Sequence, residues 1–205
     1  MADVKPTRSE LIKLKSKIKL AKSGYKLLKK KRDGLILEFY EILNKTKSVR
    51  KEMTEKFKEA IKKINIARIV DGDLAIKSVS MAIKNKPNVE VENKNIMGVV
   101  VPSIKSENVV KEVLERGYGL VNTSSAINEA TNSYEELLEY IILVAEIETS
   151  MIRLLEEIDK TKRRVNALEF EVIPKLIKTM NFIELRLEEM ERETVFRSKR
   201  IKKKR

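Results

Sequence analysis

The chain is predicted to be mainly α: a long antiparallel two-helix coiled coil with a small central β-hairpin. Three observations predict it. Gly and Pro are scarce, 6 and 4 in 205 residues, while charged residues make up 37% and aromatics 5%. That profile favours long helices over a sandwich or barrel. Apolar residues recur at 3-4 spacing through both ends of the chain, the pattern that drives helix supercoiling. Four of the glycines and two of the prolines fall between residues 72 and 121, which separates two helical arms from a non-helical middle.

The first arm is assigned to residues 7–70. One seam position reads Leu11, Ile18, Tyr25, Arg32, Phe39, Thr46, Met53, and its companion reads Leu14, Ala21, Leu28, Leu35, Ile42, Val49. Near Met53 the phase is read as slipping by one step, through Phe57, Ala60, Ile61 and Ile64, which would alter the supercoil locally. Thr7 with Glu10 three residues later has the form of a capping box. Asp71-Gly72-Asp73 is the first stop signal. Leu74 to Ile83 is ambiguous between short helix and strand.

The middle segment, 71–121, carries a hairpin signal near 88–102. Val89-Glu90-Val91 alternates, Ile96 to Pro102 is β-branched and apolar, and Glu92 to Asn95 between them is turn-like. Ser106 to Arg116 reads as a short helix ended by Gly117 and Gly119.

The second arm, 122–200, starts at N-cap candidates from Asn122 to Ser125. Its seam includes Val165, Leu168, Val172, Leu176, Ile183, Leu187 and Met190. Pro174 lies inside the pattern and predicts a bend, because the periodicity resumes at once. Residues 201–205 form a basic tail. Arms of about 60–75 residues span roughly 90–110 Å. Each apolar seam needs one partner, and the simplest is the other arm. Pairing residues whose numbers add to about 205 sets Lys13 to Lys22 against Glu184 to Glu193.

Charge is unevenly spread. The formal net is +13. Lys5 to Arg32 carries +11 and Arg197 to Arg205 carries +7, so the remainder carries −5. The basic excess marks a tip where the arm ends meet, and it suits acidic surfaces or polyanions.

Catalysis finds no foothold. Cys and His are absent, which excludes thiolate zinc sites, cysteine nucleophiles and the commonest general base. Neither G-x-x-x-x-G-K-[ST] nor G-x-G-x-x-G occurs, and Gly117-Tyr118-Gly119 is too slight for a phosphate loop. The carboxylates are phased to helix surfaces, with i,i+4 pairs such as Glu52–Lys56 expected. Met53, Met151, Met180 and Met190 fall on the apolar phase as core filler. Neither a cofactor nor a metal is expected. No apolar run of membrane-spanning length and no signal-peptide core is present, so the default is a soluble intracellular protein.

Three blocks carry a family resemblance. Pro6 to Lys15, continuing through Lys19 to Phe39 with Gly24-Tyr25-Lys26-Leu27-Leu28 and Lys31-Arg32-Asp33, resembles the opening of the D subunit of the archaeal and vacuolar-type rotary ATPases. Asn95 to Pro102 resembles its central segment. Arg163 to Glu169, Ile173-Pro174 and Leu187 to Glu193 resemble its C-terminal helix. The blocks occur in the family's order and cover most of the chain.

The resemblance implies a non-catalytic rotor shaft. Such a central stalk couples ATP hydrolysis or synthesis in a hexamer of A and B subunits to proton or sodium translocation. Its implied partners are the A and B subunits, the F subunit and the socket component, named C or d. Its implied place is the cytoplasmic side of the cell membrane, as a peripheral part of the complex. Arg8, Lys13, Lys15, Lys17, Arg197, Lys199 and Arg200 are then the expected contacts with the hexamer's inner wall, and residues 72–121 the foot near the F subunit and the socket. The alternative is a basic coiled coil that binds nucleic acid or acts as a scaffold. Sparse stacking aromatics speak against nucleic acid. A membrane-curvature module would spread its basic residues along one face instead of gathering them at an end.

Overall fold

The computed structural model describes residues 5–83, 87–107, 109–111, 116–119 and 123–204. Its elements are α1 (Arg8–Ala82), β1 (Asn88–Ile96), β2 (Val99–Glu107), α2 (Ser125–Ala167), a π-helical turn (Leu168–Val172) and α3 (Ile173–Lys204). They divide into two compact units. The terminal unit comprises Met1–Gly34 with Ile158–Arg205, and the hairpin unit comprises Leu35–Glu157.

In the terminal unit, α1 starts at the predicted cap. The Glu10 amide donates to the Thr7 hydroxyl at 3.3 Å. The Glu10 carboxylate does not return to the cap; it pairs with Lys13 at 3.0 Å. Leu14, Ile18, Thr161, Val165 and Ile183 are buried, so the predicted seams do meet. Leu11, Ala21, Tyr25, Leu28, Leu168, Leu176 and Leu187 are half-buried around them. The helices run antiparallel, because Arg8 pairs with Glu191 at 2.5 Å and Lys15 with Glu184 at 2.8 Å. Each of these pairs adds to 199, which corrects the expected 205. A change of six residues moves α3 by about 9 Å along α1. The glutamates therefore lie beside the first turns of α1, and the register sets Lys17 to Lys22 against residues 177–182, which include no carboxylate.

Two expected seam residues fall outside the seam. Met190 is exposed because, at this register, its neighbour is the very start of α1. Val172 is exposed because the π turn inserts an extra residue before it, and Ile173 takes its place on the half-buried side. The Ile173 amide donates to the Leu168 carbonyl, a π-type bond that widens the turn just ahead of Pro174. The helix passes Pro174 without a break.

In the hairpin unit, α1 keeps its seven-residue phase. Thr46, Ala60 and Ala67 are buried, Met53 and Phe39 are half-buried, and Phe57 and Ile61 are exposed. The expected slip after Met53 does not occur. Small alanines carry the seam there, and the bulkier Phe57 and Ile61 stay exposed. The expected Glu52–Lys56 pair is also replaced. Lys56 reaches Glu136 on α2 at 2.9 Å, and Glu59–Lys63 is an i,i+4 pair on the surface.

The stop signal at Asp71-Gly72-Asp73 marks a kink, and helix resumes through Ala82. Gly72 has φ 81 and ψ 160, a region open essentially to glycine alone. The kink folds Ile76 and Val79 onto a cluster of Ala67, Ile127 and Ala130. The Ser124 hydroxyl donates to the Asp71 carboxylate and accepts from the Ile127 amide, so one side chain caps α2 and holds the kink. Nothing lies within 4 Å of a Cβ built on Gly72, so the cost of Gly72→Ala is purely backbone strain. It is expected to destabilise residues 73–82 by about 1–3 kcal/mol. Hydrogen exchange on those amides measures it.

β1 and β2 form an antiparallel pair with Ile96 opposite Val99 and Asn88 opposite Glu107. The turn is Met97-Gly98, both at positive φ, as a two-residue type I′ connection requires. The expected turn at Glu92 to Asn95 lies inside β1 instead. Asn95 contributes differently: its side-chain carbonyl accepts from the Gly98 amide at 2.8 Å. Ser106, expected to open a short helix, lies in β2; residues 109–111 are not helical, and 112–115 lie outside the described residues.

Candidate interface

The seven basic residues expected at the tip all lie in the terminal unit and are exposed, but their circumstances differ. Arg8, Lys13 and Lys15 are engaged by Glu191, Glu10 and Glu184. Arg197 pairs with Glu193 at 3.3 Å, and the Arg200 guanidinium lies 5.3 Å from the centre of the Phe196 ring. Lys17 and Lys199 have no such partner among the described residues. Exposed ion pairs are worth little, about 0–1 kcal/mol, so each paired cation remains available to an outside carboxylate.

The register correction gives the tip its form. α3 continues past the start of α1 as a single helix, and its residues 192–203 are all exposed. That overhang is about 18 Å of helix at 1.5 Å per residue. It carries Arg197, Lys199, Arg200, Lys202 and Lys203 together with exposed Val195, Phe196 and Ile201.

The hairpin unit contains a polar cluster that no sequence motif signals. Arg116 is buried and donates to Glu135 at 2.7 Å and to the side-chain carbonyl of Asn132. The Tyr118 hydroxyl donates to Asn128 at 2.8 Å. Glu135 also accepts from the Lys111 amide at 3.3 Å. Burial works against the Arg116 charge, but its bonds to Tyr118 and Glu135 outweigh that and raise its pKa above the ordinary value. The cluster stitches the segment after β2 onto α2. Its one signal in sequence is an arginine beside Gly117, within a segment short of regular pattern.

The two edges of the hairpin are treated unequally. Arg153 on α2 donates to the Val100 carbonyl at 2.9 Å, and Glu146 accepts from the Ile104 amide at 3.1 Å. Side chains of α2 thus occupy the outer edge of β2. Pro102, between those positions, has no amide to satisfy. β1 is exposed along its length apart from half-buried Ile96.

No group of three His, Cys, Asp or Glu side chains that could hold a metal occurs among the described residues. No helix among them is long and apolar enough to cross a membrane.

Comparison with known proteins decides the family. The family described as the D subunit of ATP synthase matches residues 10–203. The chain belongs to this ATP synthase D-subunit family. Among its relatives, the A-type ATP synthase D subunit of Methanococcoides burtonii is 62% identical over 98% of each chain. That of Methanosarcina acetivorans is 58% identical over 98% of this chain and 96% of its own. That of Archaeoglobus fulgidus is 49% identical over 100% and 98%. The D-subunit match spans both helical units and the hairpin, so it includes the overhang and the Arg116 cluster.

Proposed function

We propose that the chain is the central-stalk rotor component of an A-type ATP synthase. The observation that carries this reading is the D-subunit match over residues 10–203. The physical form supports it. A torque-bearing shaft needs paired helices with a continuous seam, and it needs no reactive centre. In this reading the basic tip runs against the inner wall of the ring of A and B subunits. Charge contacts suit a bearing because they act at a distance and tolerate rotation. The segment 72–121 forms the foot, near the F subunit and the socket component, C or d, on the cytoplasmic side of the membrane. One asymmetric shaft makes otherwise equivalent catalytic interfaces inequivalent in turn.

The tip is tested with Lys17, Arg197, Lys199 and Arg200 replaced together by alanine in the reconstituted complex. ATP hydrolysis coupled to ion movement is expected to fall several-fold, and the salt dependence of coupling is expected to flatten with it. Undiminished coupling would reject the bearing. Cross-links from residues 88–107 to catalytic subunits alone would reject the foot.

A further inference from the structure

A hollow of about 230 Å³ lies where the kinked end of α1 meets α2. Its walls include Ile64 and Ala67 before Gly72, Ile76 and Val79 after it, and Ile127 and Ala130 on α2. All six belong to the hairpin unit. Ala67, Ile127 and Ala130 are buried beneath it, while Ser80, Ile83 and Tyr134, which also line it, are exposed. The hollow therefore has a closed floor and an open rim.

The polar groups of the lining decide what it can hold. No charged side chain lines it among the described residues, and three hydroxyls do, on Ser80, Thr131 and Tyr134. The Ser80 hydroxyl donates to the Lys77 carbonyl at 2.9 Å, and the Thr131 hydroxyl donates to the Ile127 carbonyl at 2.9 Å. Both are spent on their own helices, and Tyr134 stands at the rim. A charged or strongly polar ligand would give up its water here and gain no partner in return. A hydrocarbon has no such water to lose and buries apolar surface on both sides. An apolar cavity of about 150 Å³ is already large enough to take up benzene. We propose that this hollow is a binding site for a small uncharged hydrocarbon of about the size of toluene. The bound molecule touches α1 on both sides of the kink and α2 at once, so it holds residues 73–82 in place. This goes beyond the rotor reading and does not rest on it.

The full chain is titrated with toluene, followed by saturation-transfer NMR and by hydrogen exchange. At about ten times the dissociation constant of toluene, amide exchange in residues 73–82 is expected to slow about tenfold. Benzoate, with a carboxylate in place of the methyl group, is expected to leave that exchange unchanged. Ala130→Leu, which fills the hollow from its floor, is expected to abolish the effect of toluene. Ser80→Leu crowds the rim at an exposed position without touching the buried cluster, so it keeps the test decisive if Ala130→Leu folds poorly; it is expected to weaken toluene binding about tenfold. Ile69→Ser, an exposed apolar position that does not line the hollow, is expected to bind toluene as the unaltered chain does. No binding up to the aqueous solubility of toluene overturns the proposal, as does an equal effect of benzoate. Binding that persists in both leucine variants and is lost in Ile69→Ser assigns toluene to exposed apolar surface and overturns it as well.

Discussion

Glu135→Ala is expected to destabilise the hairpin unit by about 3–5 kcal/mol. The Arg116 side chain is only 3% exposed and Glu135 15%, with 2.7 Å between them. Removing the carboxylate strands a buried guanidinium whose Nε already lacks a partner. It also strips the acceptor from the Lys111 amide. The loss comes from abandoning a buried charge rather than from the worth of the pair, which gives the prediction a second arm. Arg116→Met with Glu135→Leu removes both charges at similar volume, and is expected to recover most of the lost stability. Chemical denaturation gives the energies, and hydrogen exchange at residues 109–111 and 116–119 locates them. A Glu135→Ala protein within about 0.5 kcal/mol of the unaltered chain, an ordinary surface effect, would show that the cluster does not hold this segment.

What was legible in the sequence follows from what repeats. A heptad pattern is redundant, so Leu14, Ile18, Val165 and Ile183 could be placed in a seam without knowing their neighbours. The cap at Thr7 and the helix start at Ser125 rest on local chemistry and were legible for the same reason. Register is different. It depends on the sum of many weak contacts, and the charge pattern alone set Glu184 to Glu193 six residues too far along α1. The π turn was hidden too: Pro174 announces a disturbance, but whether the helix bends or gains a residue is decided by packing on both sides. The hairpin turn was misplaced because Glu92 to Asn95 looks polar and loop-like. Met97-Gly98 supplies the positive φ values that a tight connection needs.

The candidate interface divides along the same line. The basic tip was legible because net charge survives any error of a few residues. The Arg116 cluster was not, since it is assembled from residues 116, 118, 128, 132 and 135 by a fold that the sequence leaves unpatterned there. The overhang of α3 follows from the register and could not be seen before it. The tip is therefore not the blunt end of a two-helix rod within the terminal unit. It is a paired stretch whose lysines are partly engaged, continued by one exposed helix.

That register can be tested at three positions expected to behave very unequally. Ile183→Ala is expected to cost about 2–5 kcal/mol. Its side chain is fully buried, and the register sets it beside Ser16, between the buried Leu14 and Ile18. Deleting its methylenes leaves a void that two rigid helices cannot collapse upon, which places the loss toward the upper end. Met190→Ala and Val172→Ala, though drawn from the same apolar pattern, are each expected to cost under about 0.5 kcal/mol. Met190 lies against the very first turn of α1, where little covers it, and Val172 has been turned outward by the π turn. Thermal and denaturant unfolding of the three variants reads the differences directly. If the residues added to 205, Met190 would lie beside Lys15 and share the loss. A cost at Met190 comparable with that at Ile183 would restore that register and remove the overhang on which the form of the tip depends. A comparable cost at Val172 would mean that the helix passes Pro174 without the extra residue.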